Sequence, residues 1–136
     1  IDFFEVGIQP WCNATSHLQW AKDHGAQILS WEAIQSSGIS FAEVFQNRVL
    51  SKLTKNSSAL ALSVDIDGFS SSFAPGASQV FPTGLDANAF MTLWPLIHTF
   101  KPQFLGIYEV SPPLDVDDRT SRLAAILMHR FVFPGC

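Results

Sequence analysis

The stretch ALSVDIDGFSSSFAPG, residues 61–76, joins an apolar run, two aspartates and a loop of small residues. An apolar run bounded by turn residues predicts a strand buried on both faces, as in a parallel sheet, and we place it at 58–66. Asp65 and Asp67 end this strand. Roughly 20 residues separate it from the next predicted helix, and loops of that length are usually functional or disordered.

Strands and helices alternate on both sides of this stretch. Strands that alternate with helices predict an α/β fold with a mainly parallel sheet. The other predicted strands cover 3–8, 26–31 and 103–110, and the predicted helices cover 14–25, 40–53, 86–100 and 119–133. The expected helix signals are Thr15 or Ser16 as an N-cap, Gly25 as a stop, Ser40 with Glu43 as a capping box, and Pro95 as a kink or an end.

The composition fits one apolar domain. The chain has 136 residues, of which 47% are hydrophobic and 15% charged. Such a low charged fraction indicates either strands that are fully buried or a surface that more protein covers. Because the first residue is Ile1 and not Met, we expect a piece of a longer chain.

Charge and cysteine content exclude several classes. The net charge is −4, and the basic residues are scattered, so we expect no nucleic-acid partner. No apolar stretch reaches membrane-spanning length, so we expect no membrane partner. Cys12 and Cys136 are far apart and form no metal-binding or disulfide pattern, which favours a reducing, cytoplasmic location.

The two aspartates are the first candidate site. Ligands of parallel sheets bind beyond the carboxyl ends of the strands, and residues two apart on a strand point the same way. Asp65 and Asp67 would repel each other unless a cation lay between them, and Mg²⁺ or Mn²⁺ suits such oxygen ligands. The alternative is an ordinary turn that begins at Asp67 and Gly68. The apolar strand before them and the long loop after them favour the metal.

Glu109 is the second candidate, because it also ends an apolar strand. Its carboxylate could bind a cationic substrate group. The alternative is a structural ion pair with Arg119 or Arg122 of the next helix.

Polar residues elsewhere have structural explanations. Gln9 and Asn13 follow the first strand and could contact a ligand, but they suit a turn and a helix cap equally well. We assign Asp115, Asp117 and Asp118 to the start of the last helix, where Asp117 or Asp118 would cap it. All four histidines fall on predicted helices or at their ends: His17, His24, His98 and His129. Cys12 could be a nucleophile, but it has no evident histidine partner.

Two segments in this order, SVDIDGFSSSFAPG (63–76) and EVSPPLDVDDRTSRLAAIL (109–127), resemble the ureohydrolase family of arginase, agmatinase and formimidoylglutamase. The resemblance implies a three-layer α/β/α fold with a mainly parallel sheet, arginase-like and incomplete in this chain. On this view, residues 1–136 are the carboxyl-terminal part of a single domain.

The resemblance also implies site roles. Asp65 and Asp67 match the aspartates that bind two manganese ions, and Asp67 would also take up a proton during catalysis. Glu109 matches the carboxylate that faces the guanidinium or formimino group of the substrate. Gln9 and Asn13 lie in GIQPWCN, which resembles the formimidoylglutamase branch, and they would lie on the substrate side.

The branch determines the expected reaction. Arginases and agmatinases usually carry Thr-Gly-Thr-Pro where this chain has Pro-Gly-Ala-Ser at 75–78, and the latter resembles formimidoylglutamase. The reaction implied is hydrolysis of formimidoylglutamate to glutamate and formamide. The alternatives are an arginase, an agmatinase or another guanidino-acid hydrolase, and, in another class, a catalytically inactive binding or structural domain.

One departure from the family pattern bears on activity. The remaining family ligands come from Gly-Gly-Asp-His and Asp-x-His-x-Asp segments, and neither occurs in this sequence. We therefore expect the partner that completes the site to be the N-terminal part of the same protein, and we expect this chain to be inactive alone. The resemblance also implies a small amidine or guanidino substrate and a homo-oligomer.

Overall fold

The structure, a computed structural model, describes residues 2–53 and 59–135. The chain divides into two compact units, Ile1–Leu53 and Thr54–Cys136, which are considered separately. Each unit contains a pair of parallel strands accompanied by helices. The predicted α/β class with parallel strands is therefore confirmed, whereas membership of all 136 residues in one larger domain stays a prediction.

The elements follow the predicted alternation. In the first unit they are β1 (Phe4–Ile8), α1 (Thr15–Asp23), β2 (Gln27–Ser30), α2 (Trp31–Gln35) and α3 (Phe41–Phe45), with a 3-10 turn at Pro10–Cys12 and a π-helical turn at Gln46–Leu50. In the second unit they are β3 (Ala61–Asp65), α4 (Ala87–Met91), α5 (Trp94–His98), β4 (Phe104–Tyr108) and α6 (Arg119–Val132), with 3-10 turns at Ile66–Gly68 and Pro112–Leu114.

None of the helices in the described ranges has both the length and the apolar character needed to cross a membrane.

Helix boundaries confirm most of the local signals. Ser40 and Glu43 form the predicted capping box, in which the Glu43 N–H donates to Ser40 Oγ at 3.2 Å and the Ser40 N–H donates to Glu43 Oε2 at 3.0 Å. Gly25 adopts a φ of +89° just beyond α1, as a helix stop requires. Pro95 lies in the first turn of α5, so the predicted 86–100 helix is broken into α4 and α5.

Two local predictions are wrong. The N-cap of α1 is Ala14, whose carbonyl accepts from the N–H groups of His17 and Leu18, so Thr15 is already helical. The second error is the burial of β3. Val64 is buried, but Ala61 and Asp65 are exposed, because β3 pairs only with β4 within the described ranges. Residue 58, the predicted start of this strand, lies outside the described residues.

The loop after β3 folds back against its own beginning. The Ser70 N–H donates to the Leu85 carbonyl at 2.9 Å, and the Leu85 N–H donates to the Gly68 carbonyl at 2.8 Å. Phe69, between these bonds, is fully buried and packs edge-on against Phe90 of α4. The predicted long loop is thus closed by main-chain bonds at both ends.

Gly84 permits this closure, and its replacement tests it. A Cβ at Gly84 would lie 2.5 Å from the carbonyl carbon of Phe69 and 2.6 Å from the nitrogen of Ser70. Because backbone atoms cannot yield as a flexible side chain can, we expect Gly84→Ala to lower the free energy of unfolding by about 2 kcal/mol. Chemical denaturation of the full-length protein measures this change.

Gly68→Ala is the matched control in the same loop. Its Cβ would meet only Leu85 Cδ1, at 3.9 Å, which is an ordinary contact. We expect the stability of this variant to stay within about 0.5 kcal/mol of the wild type. Equal stabilities of the two alanine variants would contradict the close approach of the main chain at Gly84.

Candidate carboxylate site

Asp65 and Asp67 lie at the carboxyl end of β3. The strand ends at Asp65, and Ile66–Gly68 forms a 3-10 turn, so Asp67 stands in the turn and not on the strand. Ile66 between them is fully buried, which fixes the main chain in the core. Asp65 is exposed and Asp67 is half-buried. The packing of one apolar residue therefore holds both aspartates at this end of the sheet.

Glu109 lies at the same end because of the strand register. β3 and β4 are parallel, and Asp65 is the register partner of Tyr108, the last residue of β4. Glu109 follows directly and has a φ of +62°, in the left-handed region. A residue other than glycine in such a conformation costs on the order of 1–3 kcal/mol and is concentrated at functional sites. The backbone of Glu109 therefore supports its choice as a site residue.

The three carboxylates interact electrostatically. Burial raises the pKa of Asp67, and the negative charges of Asp65 and Glu109 raise it further, to about 6. Each cause disfavours the ionised form of Asp67. The site is consequently suited to attract a cation, which would relieve the repulsion between the carboxylates.

Glu109 does not form the alternative ion pairs with the helix arginines. Its Oε2 accepts a hydrogen bond of 3.3 Å from Ser78 Oγ. In the described part of the chain, Arg119 pairs with Asp117 at 3.5 Å and Arg122 with Asp118 at 4.0 Å. Within residues 2–53 and 59–135 no basic side chain pairs with Glu109, and its side chain is exposed, so it is open to a ligand.

Asp115, and not Asp117 or Asp118, caps α6, which corrects the sequence prediction. Its carboxylate accepts from the N–H groups of Thr120 at 3.0 Å and Ser121 at 2.9 Å. Asp118 is the residue before the helix, but its side chain makes no capping bond. Left-handed backbone at Asp117 and Asp118 turns the chain so that Asp115 lies against the first helical turn.

The charge state of Asp115 follows from these bonds. Desolvation acts to raise the pKa of Asp115, but the main-chain and hydroxyl donors of Ser121 and Thr120 together hold it well below the usual aspartate range. Asp115 therefore remains ionised, and its negative charge stabilises the N-terminus of α6 by interacting with the helix dipole.

Gln9 and Asn13 belong to the first unit, whereas the carboxylates belong to the second. Gln9 is 5% exposed, and its carbonyl accepts a hydrogen bond of 3.2 Å from Asn13 Nδ2 across the Pro10–Cys12 turn. This bond supports the turn role that the sequence left open for Asn13. Contact of either side chain with a substrate stays a prediction.

The donor set fits a hard metal ion in type but not in number. Within residues 2–53 and 59–135, no group of three or more His, Cys, Asp or Glu side chains is arranged to hold a metal ion. Asp65 and Asp67 supply carboxylate oxygens, which Mg²⁺ and Mn²⁺ prefer. A complete site would need ligands beyond these two.

The sequence predicted neither the bond between Ser78 and Glu109 nor the choice of Asp115 as the cap of α6. Ser78 and Glu109 are 31 residues apart in the sequence, and no local sequence pattern predicts a contact between residues so far apart. Asp115 lies four residues before α6, outside the usual capping positions. The only available signal for Asp115 was a surplus of aspartates before the helix.

Residues 2–133 match the model of the arginase family. Formimidoylglutamase from Halalkalibacterium halodurans is 26% identical over 135 residues, which cover 97% of this chain and 41% of that protein. The crystal structure of formimidoylglutamase from Bacillus subtilis superposes with a TM-score of 0.84 at 27% identity, covering 95% of this chain and 40% of that one. The chain thus spans about two fifths of the length of these relatives.

A more distant structure shares the fold. Trypanosoma cruzi formiminoglutamase with Mn²⁺ superposes with a TM-score of 0.79 at 21% identity, covering 96% of this chain and 43% of that one. At this identity the likeness extends to the fold alone. Together these similarities confirm the arginase-like α/β fold and the resemblance to formimidoylglutamases.

The raised pKa of Asp67 makes stability depend on pH. Because the pKa of about 6 lies above the unfolded value, the folded protein loses stability as the pH rises from about 4 to above 6. Asp67→Asn removes this loss, so in the EDTA-treated protein we expect the variant to be more stable than wild type at pH 8. One pKa unit corresponds to about 1.4 kcal/mol, and partial exposure lowers the effect, so the gain should be on the order of 1 kcal/mol.

Denaturation curves at pH 4 and pH 8 measure this difference. At pH 4 most of the gain should be absent, because Asp67 is already protonated. Asp117→Asn controls for removal of an acidic charge from an exposed position. A gain of the same size at both pH values would show that the variant stabilises the fold for another reason.

Proposed function

The chain belongs to the arginase family, and on that premise we propose that it supplies two metal-binding aspartates and one substrate-binding glutamate to a hydrolase of amidine C–N bonds. One observation carries the proposal. Asp65, Asp67 and Glu109 lie together at the carboxyl ends of two adjacent parallel strands, and the charges of Asp65 and Glu109 raise the pKa of Asp67.

Asp65 and Asp67 would hold the metal. We propose two manganese ions, supported by the oxygen donors present here and by the Mn²⁺ in Trypanosoma cruzi formiminoglutamase. The remaining ligands would come from another part of the same protein, since this chain spans about two fifths of its relatives' length. The homo-oligomer and the cytoplasmic location implied by the family resemblance belong to the same proposal.

Glu109 and Asp67 have different roles in the proposed reaction. When bound, a pair of metal ions supplies a water nucleophile of lowered pKa. The Glu109 carboxylate binds the cationic nitrogen end of an amidine through charge-assisted hydrogen bonds and so orients the carbon that is attacked. An oxygen of Asp67 takes up the proton that the attacking water loses and passes it to the nitrogen that leaves as the C–N bond breaks.

Formimidoylglutamate is the substrate we favour. Formimidoylglutamases are among the relatives that match nearly the whole chain, and the loop at 75–78 resembles that branch. The products would be glutamate and formamide. Gln9 and Asn13 would lie on the substrate side of the site. Arginine, agmatine and guanidino acids are the alternatives that a substrate panel separates.

Loss of an aspartate ligand should remove both metal and activity. Even residues that only support metal ligands change affinity or activity by about 10–100-fold. We therefore expect Asp65→Asn and Asp67→Asn to lower kcat/KM by more than about 100-fold in the full-length protein, with a matching loss of bound manganese. Elemental analysis of the purified variants and a formamide-release assay measure the two effects.

Asp117→Asn is the control for this experiment. It removes the same charge from a residue of which 80% of the side chain is exposed, and asparagine tolerates the left-handed backbone there. Its metal content and turnover should match the wild type. Full manganese content in both ligand variants would refute the metal assignment, and an inactive, metal-free wild type would favour the binding or structural alternative.

Glu109 should control recognition of the cationic end of the substrate. Glu109→Gln keeps the size of the side chain but loses the charge that strengthens its hydrogen bonds. We expect kcat/KM for the preferred amidine to fall by about 100-fold while the manganese content stays unchanged. Steady-state kinetics with formimidoylglutamate, arginine and agmatine measures this change and identifies the substrate. Loss of metal in Glu109→Gln would instead assign Glu109 to the metal site.

A further inference from the structure

We propose that Ser78 is a positioning residue for Glu109, and that the main chain of Gly76 fixes the loop that carries Ser78. This inference rests on the proposed role of Glu109 in substrate binding. It concerns the loop after β3, which the metal chemistry does not use.

The contact between Ser78 and Glu109 restrains a side chain that little else restrains. Ser78 Oγ donates to Glu109 Oε2 at 3.3 Å. Glu109 is exposed, follows the last residue of β4 and has left-handed backbone, so neither sheet pairing nor burial selects its rotamer. A donor on the Oε2 side leaves the other oxygen for a cationic substrate. Fixing the side chain before binding lowers the entropy lost when the substrate binds.

Ser78 is itself exposed, so it needs a fixed loop to act this way. The Gly76 latch, formed by Gly76, Ser111 and Thr120, provides that loop. The Gly76 N–H donates to Thr120 Oγ1 at 2.7 Å, and the Gly76 carbonyl accepts from the Ser111 N–H at 2.7 Å. Both polar main-chain groups of Gly76 are thus bound to the segment that follows Glu109.

The latch is anchored in the core. Thr120 is fully buried in α6, and its N–H donates to Asp115 Oδ1 at 3.0 Å. Leaving a buried polar group without its hydrogen bond costs about 1–3 kcal/mol. Breaking the bond between Gly76 and Thr120 would therefore be unfavourable. A continuous set of contacts therefore runs from α6 through Gly76 to Ser78 and Glu109.

Only glycine allows the loop to approach this closely. A Cβ at Gly76 would lie 2.7 Å from the Cβ of Asp115 and 2.8 Å from its Cα. Ser78 follows Gly76 by two residues, so a larger residue at 76 would move Ser78 away from Glu109. The same serine would remain in the sequence, but its hydroxyl would no longer reach the carboxylate.

Kinetics of Ser78→Ala in the full-length, manganese-loaded protein tests the inference. We expect KM for the preferred amidine substrate to rise about tenfold with little change in kcat, because a contact made equally in ground and transition states affects KM alone. Ser78→Thr, which keeps the hydroxyl, should restore most of the affinity. Ser71→Ala is the matched control, since the Ser71 main chain, and not its side chain, bonds to Phe81 in the same loop.

A double-mutant cycle separates positioning from a direct effect on the substrate. In the Glu109→Ala background, Ser78→Ala should raise KM less than about twofold, because no side chain is left at position 109 for Ser78 to position. Full additivity of the two substitutions would overturn the inference. So would an unchanged KM in Ser78→Ala when the wild type is active.

A crystal structure of Ser78→Ala gives a readout that does not depend on turnover. The Glu109 carboxylate should adopt a different or a disordered rotamer in Ser78→Ala and keep its position in Ser71→Ala. An unmoved Glu109 side chain in Ser78→Ala would overturn the positioning role. If the wild type cleaves no amidine, the proposed function fails, and this structural comparison still decides whether Ser78 positions Glu109.

Discussion

The parallel pairing of β3 with β4 is the constraint on which the carboxylate site depends. The register runs from Ala61 opposite Phe104 to Asp65 opposite Tyr108 without interruption. Parallel strands end at the same edge of a sheet, so this register alone brings Asp65 and Glu109 to one place. A slip of one residue would turn the side chains of a strand to the other face. The geometry of the site is therefore set by main-chain hydrogen bonds and not by the acidic side chains, which repel one another.

Packing energy offsets that repulsion. Ile66 and Phe69 are fully buried on either side of Asp67 and Gly68. Burying side chains of this size contributes about 1.5–3 kcal/mol each. The burial of these two side chains therefore opposes the repulsion between the carboxylates. The left-handed backbone of Glu109 is likewise held in place from both sides. β4 precedes it, and the Gly76 latch binds the segment that follows it.

Patterns confined to a few neighbouring residues allowed prediction of the alternating elements, the Ser40 capping box and the break at Pro95, because each depends on local chemistry. Asp65, Asp67 and Glu109 were selected from the sequence because they end or follow apolar strands, and their role as site residues stays a prediction. The burial of β3 was not predictable, because the exposure of a strand depends on which parts of the fold lie beside it. The cap of α6 was assigned to Asp117 or Asp118, since a sequence does not reveal the left-handed turn that presents Asp115 instead. No pattern links Ser78 to Glu109, because only the folded loop joins them.

The left-handed backbone of Glu109 has a consequence for how this protein could be evolved in the laboratory. Glycine and asparagine suit a φ of +62° better than glutamate does, so backbone preference alone would replace it. A library screened only for thermal resistance should enrich glycine or asparagine at position 109, whereas, on the proposed role of Glu109 in substrate binding, a library screened for turnover should keep glutamate. Computational redesign that maximises stability would make the same replacement. Position 109 is therefore one to hold fixed whenever this scaffold is engineered for robustness.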